Sequence, residues 1–216
     1  GFMSEEMDEL VEFLRECKTV KVKSVYSHLA ASDDPSHDEF TLGQIELFKS
    51  NADKLTDVLG YKPLYHILNS AGIERFPQYQ FDMVRLGIGL YGVSPIAPDA
   101  TLHPISTLKT IILQIHDVPA DETVGYSRRG VLTRHSRIAA LPIGYADGLN
   151  RKFGNGNGYC IVGGKKAPYV GNVCMDVCMI DVTDIDCKEG DEVEIFGDNL
   201  HVTELAEWID TIPYEI

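Results

Sequence analysis

The sequence predicts two architectures in series: an α/β sheet or barrel over residues 1–97, then a small β-barrel or β-sandwich over residues 98–216. Three observations carry this reading. In the first part, apolar runs of strand length alternate with amphipathic helical stretches, the rhythm of parallel α/β units. In the second part, short strand-like runs follow one another with turn signals between them. The two parts meet at Val93-Ser94-Pro95-Ile96-Ala97-Pro98-Asp99, whose prolines and small residues suit a linker.

The elements follow in order. Glu5 to Cys17 places Met7, Leu10, Val11 and Leu14 at helical spacing. Val20 to Leu29 reads as a strand ending in Tyr26-Ser27-His28. Asp38 to about Leu59 is a helix with Leu42, Ile45, Phe48 and Leu55 on one face and Gly60 as its stop. Tyr65 to Leu68 and Met83 to Leu86 are short apolar runs of the kind buried in parallel sheets. Beyond the linker, strands are predicted at Ser106–His116, Ser136–Leu141, Tyr159–Val162, Pro168–Val173, Cys178–Val182 and Asp191–Phe196. Gly154-Asn155-Gly156-Asn157-Gly158 and Gly163-Gly164 mark turns, and Val202 to Ile209 forms a short helix opened by Thr203 or its neighbour.

Composition narrows the function. The 216 residues are 44% hydrophobic, enough to fill a core, and carry 33 acidic against 19 basic side chains. A net charge of −14 argues against a nucleic-acid partner, which calls for clustered Lys and Arg. No run approaches the ~20 apolar residues of a membrane span, and the acidic start lacks the pattern of a signal peptide. Five cysteines without CxxC spacing suggest reduced thiols in a cytoplasmic protein, with no disulfide framework and no metal site. Both ends read as cut, so the chain is expected to be a fragment.

Several residues can carry chemistry, and each has a plainer alternative. Ser70, in Asn69-Ser70-Ala71, and the glycines of Arg85-Leu86-Gly87-Ile88-Gly89 either offer hydroxyl and backbone donors to a phosphate or cap a helix and permit tight turns. Arg85 lies between apolar neighbours and needs a partner or an acceptor; His28 and His66, at the ends of neighbouring strands, can face it. Taken alone, His28 reads as a satisfied structural histidine and Tyr126 as a packed hairpin residue. A tyrosine serves as a base only where neighbours depress its pKa from about 10. Cys174 and Cys178, four apart in a strand, would share a face with Asp176 while Met175 turns away. Asp147, in Gly144-Tyr145-Ala146-Asp147-Gly148, stabilises a turn or contacts a ligand.

Taken in order, Tyr26-Ser27-His28-Leu29-Ala30, Asn69-Ser70-Ala71, Met83-Val84-Arg85-Leu86-Gly87-Ile88, Gly125-Tyr126, Ile143-Gly144-Tyr145-Ala146-Asp147-Gly148 and Cys174-Met175-Asp176 resemble the alanine racemases. The resemblance runs over nearly the whole chain. It implies the C-terminal portion of a (β/α)8 TIM-type barrel followed by the β domain, in a head-to-tail homodimer that shares its active sites across the interface. It also implies pyridoxal 5'-phosphate as cofactor and L- and D-alanine as substrates, with D-alanine going to peptidoglycan.

By the same resemblance, Ser70, Gly87 and Ile88 hold the cofactor phosphate and Arg85 hydrogen-bonds the pyridine nitrogen. His28 and His66 join Arg85 in a polar network. Tyr126 is the acid/base presented to the partner's cofactor, and Met175 offers its N–H to the substrate carboxylate. Asp33, Tyr145 and Arg151 match positions lining the substrate corridor. The chain departs from the family in four places. Nothing here matches its Schiff-base lysine, its second arginine or its closing Tyr-Arg-Val block, and Asn172 stands where a corridor arginine is common. The expectation is an inactive fragment of an alanine racemase. The alternatives are a racemase for serine or lysine on the same fold, or a non-catalytic dimerisation module.

Overall fold

A computed structural model describes residues 1–97 and 102–216, so Pro98 and Asp99 of the predicted linker lie outside the described residues. The chain divides into two units, Gly1–Leu102 and His103–Ile216.

In the first unit, a short 3-10 turn leads into helix α1 (Met7–Glu16), followed by strand β1 (Ser24–Tyr26), helix α2 (Asp38–Leu59), strand β2 (Leu64–His66) and helix α3 (Ser70–Arg75). β1 and β2 pair in parallel, with Val25 opposite Tyr65 and Tyr26 opposite His66. A helical connection returns the chain to the same edge, as parallel pairing demands. α2 buries Thr41, Ile45, Phe48, Ala52 and Leu55 along one stripe. Its predicted face shifts by one position: Leu42 is exposed and Thr41 is buried in its place. The stop at Gly60 holds, because that residue takes the left-handed φ of 71° that a glycine adopts without Cβ strain. Leu29, Ile45, Phe48, Tyr65, Ile67, Leu68 and Phe76 form the core.

Two predicted strands differ from expectation, one shortened and one absent. Val20–Leu29 is strand only at Ser24–Tyr26, the length of its three-residue partner. Met83–Leu86 is not a strand. It touches β2 and the residues after it through Asp82 N–H to Tyr65 O and Arg85 N–H to Leu68 O. These bonds are three residues apart on both sides, whereas a parallel ladder repeats every two.

The second unit is β-rich. Its strands are β3 (Leu108–Ile111), β4 (Gln114–Val118), β5 (Thr123–Val124), β6 (Gly130–Val131), β7 (Ser136–Leu141), β8 (Tyr159–Val162), β9 (Lys165–Pro168), β10 (Cys178–Asp181) and β11 (Glu192–Phe196), with helix α4 at Val202–Ile209. One sheet runs β10-β7-β4, a second β3-β11-β8-β9, and β5 pairs with β6. One core spans both larger sheets, with Ala139, Leu141 and Ile180 from the first and Val162, Val193 and Ile195 from the second. The two sheets are also joined at their edges, by Ile112 N–H to Asp191 O and Leu113 N–H to Ala140 O on one side and by the Tyr169–Ile180 bridge on the other, so the strands close around this core like a small barrel.

Ser136–Leu141 and Tyr159–Val162 form as predicted. Ser106–His116 splits into β3 and β4, which join different sheets on either side of buried Ile112. Pro168–Val173 does not continue as a strand: β9 ends at Pro168, Tyr169 makes an isolated bridge to Ile180, and Gly171 turns with φ 69°. The N-cap of α4 is His201 rather than Thr203, its side chain accepting from the Thr203 N–H.

Candidate active site

In the first unit the site grows from the carboxyl ends of β1 and β2. The Arg85 N–H to Leu68 O bond, 2.9 Å, sets the Arg85 side chain beside both strand ends. One guanidinium nitrogen, Nη1, lies 2.7 Å from His66 Nδ1 and donates to His66 O at 3.2 Å. The other, Nη2, donates to Ser27 O at 2.6 Å and Ile67 O at 3.3 Å and lies 3.1 Å from His28 Nδ1. Among the described residues no carboxylate forms an ion pair with Arg85.

Arginine only donates, so both Nδ1 atoms accept and each imidazole carries its proton on Nε2. Tyr26 stacks on the buried His66 ring, centroids 5.1 Å apart and planes within 6°, and the Arg85 guanidinium carbon lies 5.2 Å from the Tyr26 ring centre. Burial, then the Arg85 charge, holds the His66 pKa below its ordinary value. The sequence-predicted trio of Arg85, His28 and His66 is thus one cluster.

Beside it, the Ser70 hydroxyl oxygen accepts from Gly87 N–H at 3.0 Å and Gly89 N–H at 3.2 Å. Ser70 is therefore not the helix cap. Asn69 caps α3 through Gly72 N–H at 2.9 Å, and fully buried Ser32 donates to Asn69 Oδ1 at 2.8 Å. Sequence reasoning missed Asn69 and Ser32. The signal was present in Asn69, an ordinary N-cap residue one position before the serine read as the cap. Ile88 opens the short 3-10 turn Ile88–Tyr91, and a Cβ at Gly89 would lie 2.8 Å from Leu86 Cδ1. Asp33 is exposed in the loop after β1.

In the second unit, Tyr126 projects into solvent, 73% exposed, from the turn between β5 and β6. Met175 and Tyr145 meet in a second pair of loops. Tyr145 N–H donates to Cys174 O at 3.0 Å and Ala146 N–H to Met175 O at 2.9 Å. Asp147 closes that turn by accepting from Gly144 N–H at 2.9 Å, so its carboxylate is a turn element. Arg151 is exposed in the next turn. Cys174 and Cys178 do not share a strand face. Cys174 N–H bonds Val177 O, so Cys174 through Val177 form a tight turn and the strand begins only at Cys178. Burial pushes the Cys178 thiol up to about 12 and that of Cys160 higher still, which keeps both as inert thiols.

A parallel α/β unit with an arginine cluster at its strand ends, followed by a two-sheet β unit, defines a two-domain α/β-then-β protein. The chain belongs to the alanine racemase family: the model for the alanine racemase N-terminal domain matches residues 1–95 and that for the C-terminal domain residues 105–216. It is 38% identical to the alanine racemase of Halothermothrix orenii over 224 aligned positions, covering all of this chain and 59% of that protein. With the alanine racemase of Methanococcus maripaludis the identity is 35%, over all of this chain and 60% of the relative.

The solved structure of alanine racemase from Bartonella henselae with covalently bound pyridoxal phosphate superposes with a TM-score of 0.87 at 32% identity, over all of this chain and 59% of that one. The Clostridium difficile alanine racemase complex with cycloserine gives 0.88 at 33%, over 99% of this chain and 57% of that one. The chain spans about three-fifths of the length of the curated relatives it matches.

Proposed function

We propose that this chain works as part of a pyridoxal-phosphate-dependent alanine racemase that supplies D-alanine for peptidoglycan. Residues 1–97 would be the closing part of a (β/α)8 barrel, and the β unit would present the remaining groups to a second copy in a cytoplasmic homodimer. The observation that carries this is the Arg85 cluster: a permanent cation held by neutral acceptors at the carboxyl ends of parallel strands, where α/β folds bind ligands.

The residues fit the cofactor. Four of the five Arg85 donors are engaged, and its Nε–H is left for an acceptor such as a pyridine nitrogen. The Ser70 oxygen uses its lone pairs on two amides, which leaves the hydroxyl proton to donate to a phosphate. Pyridoxal phosphate, when bound, supplies a conjugated ring that takes up the electrons of a broken Cα–H bond. Arg85 does not give up a proton, so a pyridine nitrogen held against it would be left unprotonated. Tyr126 holds or returns the α-proton on one face of the substrate, and Met175 N–H orients the substrate carboxylate, both toward the partner's site. Racemisation needs a second acid/base group on the opposite face.

The lysine that bonds the cofactor would lie outside these residues. The Lys165-Lys166-Ala167 run is not that site, because it forms the edge strand β9, with the Lys166 ammonium 4.2 Å from the Tyr159 ring centre. The isolated chain is accordingly expected to be inactive.

Joined to the part of the Halothermothrix orenii relative that it does not match, the chain is expected to interconvert L- and D-alanine in the presence of pyridoxal phosphate, read by a D-amino-acid oxidase assay. A joined protein that folds, dimerises and binds the cofactor but leaves alanine unchanged overturns the reading. Faster turnover of serine or lysine would move it to a sister substrate, and dimerisation without turnover of any amino acid would point to an assembly module.

A further inference from the structure

The backbone that carries Tyr126 is unusual. Gly125 has φ 78°, and the two residues after Tyr126, Ser127 and Arg128, are both left-handed non-glycines with φ 58° and 52°. Such residues relax toward ordinary conformations unless the surroundings hold them. Three contacts hold this turn. Within it, Arg128 N–H bonds Gly125 O at 3.3 Å. From β5, the Thr123 hydroxyl accepts from Arg128 Nε at 3.1 Å. From the loop between β9 and β10, Asn172 Nδ2 donates to the Tyr126 carbonyl at 3.1 Å.

The Asn172 amide is itself oriented. Asn155 Nδ2 donates to Asn172 Oδ1 at 3.0 Å, which leaves the Asn172 nitrogen facing Tyr126. Asn155 is anchored in turn by its backbone N–H on Gly171 O at 2.8 Å. The loops are also in steric contact: a Cβ at Gly171 would sit 2.6 Å from Val124 O, and one at Gly125 would lie 3.6 Å from Asn172 N.

We infer that Asn155 and Asn172 form an amide relay that sets the position of Tyr126 through its backbone carbonyl while leaving the phenol ring unencumbered. Asn172 and Asn155 are positioning residues. Their side chains bond each other and the Tyr126 carbonyl rather than the phenol oxygen. The inference rests on Tyr126 being the acid/base group for its significance to catalysis, but the relay itself is a property of this chain.

Two substitutions separate the links. Asn172→Asp replaces the donor facing Tyr126 with an oxygen and keeps an acceptor for Asn155. Asn155→Asp leaves Asn172 intact but turns its amide round, because the nitrogen then faces the new carboxylate and the oxygen faces the Tyr126 carbonyl. Aspartate tolerates the left-handed φ of 59° at position 155, so the backbone there is not strained by the change.

The readout on the intact 216-residue chain is limited trypsin digestion after Arg128 and Arg129, with exposed Lys188 as the internal control, together with the carbonyl carbon NMR signal of Tyr126. Both variants are expected to speed cleavage at 128–129 about tenfold, the effect of losing one hydrogen bond of about 1.4 kcal/mol, and to shift the Tyr126 carbonyl signal, with the rate at Lys188 unchanged. Unchanged cleavage at 128–129 in both variants overturns the relay. So does equal acceleration at Lys188, which marks a loosened fold, and so does an effect in Asn172→Asp alone, which removes Asn155 from the relay. Full racemase activity of Tyr126→Phe in the joined protein would instead defeat the catalytic reading and leave the relay standing.

Discussion

Gly144→Ala tests how the loops that carry Tyr145 and Met175 are clamped. Gly144 has φ −147°, extended backbone that any residue adopts, so the cost is contact alone. A Cβ there would lie 2.3 Å from Met175 O and 2.5 Å from both Cys174 O and Met175 C, about 1 Å inside ordinary contact at 3.4 Å. All three atoms are backbone, so no rotamer change relieves the clash. A retreat of that size stretches Tyr145 N–H to Cys174 O and Ala146 N–H to Met175 O, now 3.0 and 2.9 Å, beyond hydrogen-bonding range.

Two such bonds contribute about 1 kcal/mol each, and overpacking costs a further ~1–3 kcal/mol that overlaps with their loss, so the expected destabilisation is about 2–4 kcal/mol. Urea unfolding followed through Trp208, the only tryptophan, reports on this unit because its ring packs edge-on against Phe153 and 4.6 Å from Tyr159. Met175 and Tyr145 are displaced together, and amide exchange at Tyr145 and Ala146 should accelerate. A loss below about 0.5 kcal/mol with both amides still protected would refute the clamp.

Three further outcomes are expected. The depressed His66 pKa means the unfolded chain takes up that proton first, so the wild type should lose stability as pH falls below about 6.5 and stop losing it below the folded His66 pKa. His66→Gln should flatten that slope in a pH series of urea midpoints read by circular dichroism, and an unchanged slope would count against the burial and Arg85 argument. Ser70→Ala removes the shared acceptor of two amides and should cost about 1–2 kcal/mol, with faster hydrogen exchange at Gly87 and Gly89 than at control amides. Tyr126→Phe should leave the unfolding midpoint within about 0.5 kcal/mol of wild type, because the ring is exposed, while abolishing alanine racemisation in the joined protein.

The readability of this sequence followed the range of the interaction involved. Gly60 as a helix stop and Ser136–Leu141 as a strand are local statements, carried by a left-handed cap and an apolar run, and both hold. The division of Ser106–His116 between two sheets was invisible, because a continuous strand-like segment says nothing about which neighbour each half will find. The chemistry-bearing residues were legible as types and not as partners. Arg85 invited an acceptor, but the Ser27 carbonyl is 58 residues away and nothing in either segment names the other. Asn69, Ser32, Asn155 and Asn172 act through amide and hydroxyl contacts to backbone or to one another, and such contacts leave no periodic pattern.

The acceptors around Arg85 also fix what the first unit can tolerate. A carboxylate partner would have cancelled the guanidinium charge and would have stayed an acceptor down to low pH. Carbonyls and imidazole Nδ1 atoms instead leave the full positive charge at the strand ends, and two of the acceptors are conditional. Protonating His66 at Nδ1 sets donor against donor at 2.7 Å. The stacked Tyr26 ring works against that at His66, since it covers the imidazole and presents a π face to the guanidinium. The cluster therefore holds a cation with its remaining Nε donor open to a neutral acceptor, and a buried His66 kept as an acceptor by the arginine it orients.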